Sequence, residues 1–76
     1  MIDFIKDQIK STSAALDNVQ YIIEESDDGL MMTIREKYAD DAERALRGIL
    51  GVQIDDVQWL GTDQRGDDIN RIYFNI

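Results

Sequence analysis

Leu16-Asp17-Asn18-Val19-Gln20-Tyr21 returns as Ile54-Asp55-Asp56-Val57-Gln58-Trp59, 38 positions later in a chain of 76 residues. Three of the six positions are identical and three are conservative. Asp3 with Asp41, Lys6 with Arg44 and Ile34 with Ile72 fall on the same offset. A repeat at half the chain length indicates one supersecondary unit used twice. The expected organisation is therefore a single domain, residues 1–76, built from halves 1–38 and 39–76 that share one core.

The residues around the repeat give each half the same order of elements. Val19, Tyr21 and Ile23 alternate with polar neighbours, the period of a half-buried strand. Asp28-Gly29 supplies hairpin-turn chemistry, and Leu30–Arg35 returns with Leu30, Met32 and Ile34 on one face. Upstream, Ile2, Ile5, Ile9 and Leu16 recur at helical spacing and predict a helix over 2–17, weakened at Ser11-Thr12-Ser13. In the second half a helix is expected over 40–50, with Asp40 as N-cap, Glu43 completing a capping box, and Gly51 as the C-terminal cap. Its apolar stripe is Ala42, Ala45, Leu46, Ile49 and Leu50. A strand over 56–60, a polar loop over 62–68 and a strand over 69–76 complete the chain. The core face of the sheet is expected to carry Val19, Tyr21, Ile23, Leu30, Met32, Ile34, Val57, Trp59, Ile72, Phe74 and Ile76.

This αββαββ order predicts an α+β two-layer sandwich, a four-stranded antiparallel sheet with two helices on one face. The strand after each hairpin turn becomes central and the one before it an edge. Such an arrangement is a circular permutation of the ferredoxin-like fold. It also resembles the core order of the LAGLIDADG homing endonucleases, but their signature helix motif is absent, so no functional residue follows from that likeness.

Composition narrows the function. The chain has no Cys and no His, which removes disulfides, thiol nucleophiles, imidazole bases and the usual structural zinc sites. Sixteen Asp and Glu against eight Lys and Arg give a net charge of −8. Direct binding to nucleic acid or an anionic membrane would add like-charge repulsion, whereas a basic protein surface would be attracted. No signal peptide or membrane-spanning run is visible, so a cytoplasmic setting, in a bacterial or phage-infected cell, is expected.

In the expected topology the two hairpin tips lie at opposite ends of the sheet. Glu24, Glu25, Asp27, Asp28, Asp55 and Asp56 gather at one end, and Asp63, Asp67 and Asp68 at the other, beside Asp40, Asp41 and Glu43. Each cluster can accept charge-assisted hydrogen bonds from Lys or Arg. Asp is also an ordinary turn and cap residue, so acidic tips alone have a local explanation. No metal site is expected: the stretch from Glu24 to Glu36 fails as a calcium loop, because Ser26 and Arg35 fall on ligand positions. No cofactor is implied. Exposed tip carboxylates lack the cleft that acid–base catalysis requires, so a non-enzyme is expected. Arg65-Gly66-Asp67, which matches an integrin-binding tripeptide, reads as turn chemistry.

Two functional expectations follow. The first is an inhibitor that occupies a basic, nucleic-acid-binding surface of another protein, its carboxylates imitating phosphates. In size and composition the chain is similar to phage-encoded inhibitors such as anti-CRISPR and anti-restriction proteins; the similarity covers those properties alone. The second is an adaptor that forms a homodimer through the open sheet face, where Ile22, Met31, Leu60 and Tyr73 would make the contact.

Overall fold

A computed structural model describes all residues, 1–76. Helix α1 (Ile2–Thr12) leads through a short 3-10 turn (Ala14–Leu16) to β1 (Tyr21–Ser26) and β2 (Gly29–Arg35). A second 3-10 turn (Glu36–Tyr38) precedes α2 (Ala39–Arg47), which is followed by β3 (Gln53–Thr62) and β4 (Asp68–Asn75). The protein is α+β, with one antiparallel four-stranded sheet in the order β1-β2-β4-β3. The strand after each hairpin turn is central, as expected.

Every second residue of the central strands faces the helices. Leu30, Met32 and Ile34 of β2 and Ile72 and Phe74 of β4 join Ile23 of β1 in one apolar cluster. Ile5 and Ile9 of α1 and Ala42, Ala45 and Leu46 of α2 close it from above. The alanines of α2 let that helix approach the sheet closely. Met32 opposes Ile72 across β2 and β4, and both are fully buried.

Several expected boundaries move, each for a local reason. Helix α1 stops at Thr12, where Ser13 turns extended; in this last turn Ser11 and Thr12 donate their hydroxyls to the carbonyls of Asp7 and Gln8, at 2.9 and 2.7 Å, a back-bonding that weakens a helix. Helix α2 starts at Ala39, so Asp40 sits in its first turn instead of capping it, and no side-chain cap bond forms. There Asp40 and Asp41 still oppose the helix dipole favourably, as Arg44 and Arg47 do in the last turn. Because α2 ends at Arg47, Leu50 leaves the apolar stripe and is 98% exposed.

Strand β3 departs furthest from expectation. It runs over ten residues and carries two bulges, between Ile54 and Asp56 and between Trp59 and Gly61. The first bulge breaks the two-residue period, so that Ile54 and Val57, three apart, both pack against the core. The same bulge leaves Asp55 and Asp56 exposed side by side. Val57 opposes Ile72, the place that Tyr21 takes opposite Ile34 in the first hairpin. The two hexapeptides are thus shifted by two residues relative to one another. Trp59 keeps the parity of the core face but lies beyond its cover, 64% exposed, and Ile76 is likewise 46% exposed.

Gly29 opens β2 where β4 passes close by. A Cβ there would lie 2.6 Å from the carbonyl oxygen of Phe74 and 2.9 Å from Cβ of Asn75. Gly29→Ala is therefore expected to destabilise the fold by about 1–3 kcal/mol, read from a denaturant midpoint. Asn70 occupies a core-facing position of β4 at 9% exposure, and its side-chain oxygen has no hydrogen-bond partner. The near-isosteric Asn70→Leu should raise stability by about 1 kcal/mol, seen as a melting temperature higher by about 4–8 °C.

Candidate functional site

The antiparallel pairing of β2 with β4 sends the two hairpin tips to opposite ends of the sheet. Leu30 pairs with Phe74 at one end and Arg35 with Ile69 at the other. The first tip, Asp27-Asp28, therefore comes to the end where β3 begins and where its first bulge displays Asp55 and Asp56. A groove of about 460 Å³ lies between them, with Asp27, Asp28, Asp55 and Asp56 along its walls and Tyr73 and Phe74 among its lining. Glu24 and Glu25 are exposed on β1 beside the groove and do not line it.

No cation neutralises this end. The ion pairs of the structure are Arg35–Asp67 at 3.3 Å, Arg44–Asp41 at 3.4 Å and Arg47–Glu43 at 3.3 Å, and none includes a carboxylate of the first cluster. Asp55 accepts a hydrogen bond from the Asn75 side-chain amide at 2.6 Å. Asp56 accepts from the Val57 amide at 2.9 Å and from Gln58 Nε2 at 3.0 Å. These neutral donors fix the orientation of the two carboxylates and leave their charge in place. No three carboxylates are placed to hold a metal ion.

The opposite end differs in kind. Asp63 accepts the backbone amides of Arg65 and Asp67, at 2.8 and 3.0 Å, and so ties the hairpin loop. Asp67 pairs with Arg35, and Asp68 accepts from the Trp59 indole N–H at 3.1 Å. Asp41 and Glu43 pair within α2. The second cluster is thus largely engaged inside the molecule. Its main internal cation is Arg35; Arg65 serves Asp63 through its backbone amide.

The open sheet face is more polar than its apolar residues suggested. One row across the sheet reads Glu24, Met31, Tyr73, Asp56, and the next Ile22, Thr33, Arg71, Gln58. Met31 and Tyr73 meet at the centre, half-buried, between two carboxylates. Ile22 is 59% exposed on one edge strand, and Leu60, 45% exposed, sits in the second bulge of the other. The structure brings Met31 and Tyr73 together and keeps Ile22 and Leu60 at opposite edges.

Arg35, Asn75 and Gln58 shape the two ends, and the sequence reading assigned none of them a partner. Arg35 and Asn75 close the two central strands, a position that a register between β2 and β4 would have exposed. Asp56 and Gln58, two apart on an edge strand, carried the only local signal.

No protein-family model matches the chain, and no curated protein or solved structure matches it either. No helix is long and apolar enough to cross a membrane.

Two carboxylates of the second end titrate abnormally, in opposite directions. The Asp67 amide holds Asp63 below its ordinary value, helped by the Arg65 amide and by the charges of Arg35 and Arg65, against a smaller effect of desolvation. Glu36 is raised, first by a hydrogen bond with Asp68, then by desolvation and the charge of Asp68. Asp63 thus adds stability above its unfolded pKa that is lost as pH falls through its folded value. Glu36 adds stability below its unfolded pKa that is lost as pH rises through its raised folded value. Glu36→Gln should therefore raise the melting temperature at neutral pH and leave it unchanged in acid. Asp63→Ala should lower it at neutral pH, with the difference shrinking as the medium is acidified below the folded pKa.

Proposed function

We propose that this protein is a non-catalytic acidic binding protein that occupies a basic, nucleic-acid-binding surface on a target protein and so inhibits it. The observation that carries the reading is the uncompensated charge of one sheet end. Asp27, Asp28, Asp55 and Asp56 flank a groove, Glu24 and Glu25 stand beside it, and no Lys or Arg pairs with any of them. Carboxylates held by neutral hydrogen bonds keep a negative potential that steers a basic partner into contact and accepts its Lys and Arg side chains. The order β1-β2-β4-β3 supports reading the scaffold as a permuted ferredoxin-like sandwich of two αββ halves. In that sandwich the second cluster, Asp63, Asp67 and Asp68, has a structural part, holding the other hairpin loop to the end of β2.

A homodimer through Ile22, Met31, Leu60 and Tyr73 is the second reading. The exposure of Ile22 and Leu60 favours it, and the carboxylates flanking Met31 and Tyr73 oppose it.

The experiment is retention of basic nucleic-acid-binding proteins on the immobilised chain at low salt, followed by elution in a salt gradient and by competition with duplex DNA. Retention that falls steeply with salt and is displaced by DNA is expected. Asp27→Asn with Asp28→Asn should slow association by about tenfold and leave the melting temperature nearly unchanged. Retention indifferent to salt would overturn the proposal. A dimer in sedimentation that Met31→Glu dissociates would establish the second reading instead.

A further inference from the structure

Resting on the basic-partner reading, we propose that the free edge of β1 receives an extended, basic segment of the target protein as a fifth strand of the sheet. An antiparallel ladder uses the amide and carbonyl of alternate residues and turns the others outward. On β1 those outward groups have no partner: β1 pairs only with β2, and none of the backbone or side-chain hydrogen bonds outside the ladder reaches Tyr21–Ser26. The strand pairs in regular register from Tyr21 to Ser26, with no bulge or Pro, and the only charges on its edge are the carboxylates of Glu24 and Glu25.

The other edge is protected. Two bulges interrupt β3, and Asp56 takes up the Val57 amide with its own side chain. Exposed edges are commonly guarded in such ways; the unpaired β1 is guarded only by like charges that a basic strand would neutralise, so it is a strand-addition site for such a strand in chemical terms.

Charge and shape along β1 select the occupant. Glu24 and Glu25 are adjacent and exposed, one on each face of the sheet, and neither has a cation. At the other end of the strand a hollow of about 500 Å³ is lined by Val19, Ile22, Thr33, Ile69 and neighbours. A segment with two consecutive Lys or Arg residues followed by β-branched apolar residues, laid antiparallel, places its cations beside Glu24 and Glu25. Its apolar residues then run on toward Ile22 and Tyr21, which line the hollow. A second copy pairing through its own β1 brings two more glutamates, Glu24 and Glu25, and no Lys or Arg on that strand, within a chain of net charge −8. The occupant is therefore a basic strand of a different protein.

The test uses the whole, isotopically labelled chain and a synthetic peptide as long as β1, with two adjacent lysines followed by valine, isoleucine and valine. Its binding should slow hydrogen exchange of the outward-pointing β1 amides by about tenfold or more. N-methylation of the peptide amides that face β1 should raise its Kd by about tenfold or more, and so should Glu24→Gln with Glu25→Gln. Absence of peptide binding overturns the proposal. Binding that leaves the β1 amides unchanged, or tolerates N-methylation, also overturns it. In those cases salt-sensitive retention of basic proteins still stands or falls on its own readout. Dimerisation without peptide, slowing the same amides, would assign the edge to a second copy and overturn the proposal as well.

Discussion

The pairing of β2 with β4 joins two hairpins that otherwise share no backbone bond. It brings Met32 against Ile72 at the centre of the sheet and supplies the apolar floor on which both helices rest. In a chain this short the core is small, and neither hairpin with its helix buries enough apolar surface to stand alone. Thr33 opposes Arg71 in the middle of this pairing, and the two are separated by half the chain. The central strands therefore preserve the offset visible in the sequence, and the edge strands, freer to slip, do not.

The same pairing separates the charge. Once the central strands run antiparallel, the two tips must lie at opposite ends. What each end becomes is decided by the residue that closes a central strand there. Strand β2 closes on Arg35, whose guanidinium engages Asp67. Strand β4 closes on Asn75, whose amide orients Asp55 without cancelling its charge. One end is consequently tied down by an ion pair and by hydrogen bonds within the molecule, and the other is an open field of carboxylates.

Element type, strand order and the inward residues of the central strands were legible because two-residue and helical periods are strong in β2, β4 and α2. The Ser-Thr-Ser interruption already marked the weak point at which α1 breaks off. Strand β3 was not legible: its first bulge inserts a residue and reverses parity, so Ile54 and Val57 both reach the core, while Trp59, though on the same side as Val57, lies beyond the core's cover. The site was legible as composition and as placement at two ends. Its inequivalence was hidden, because pairing of Asp67 depends on where β2 stops relative to the loop after β3, a long-range fact. The open face read as more apolar than it is, since its rows depend on cross-strand register, which puts Glu24 and Asp56 beside Met31 and Tyr73.

The central pairing also sets the order of events when the chain folds. Each hairpin is a local structure that zips within microseconds. Joining them requires Leu30 to find Phe74 and Arg35 to find Ile69, a non-local closure made before its burial is rewarded. That encounter is expected to govern the folding time. Trimming Met32 or Ile72 is then expected to slow the forward reaction, and loosening the outer strands mainly to hasten escape from the native state.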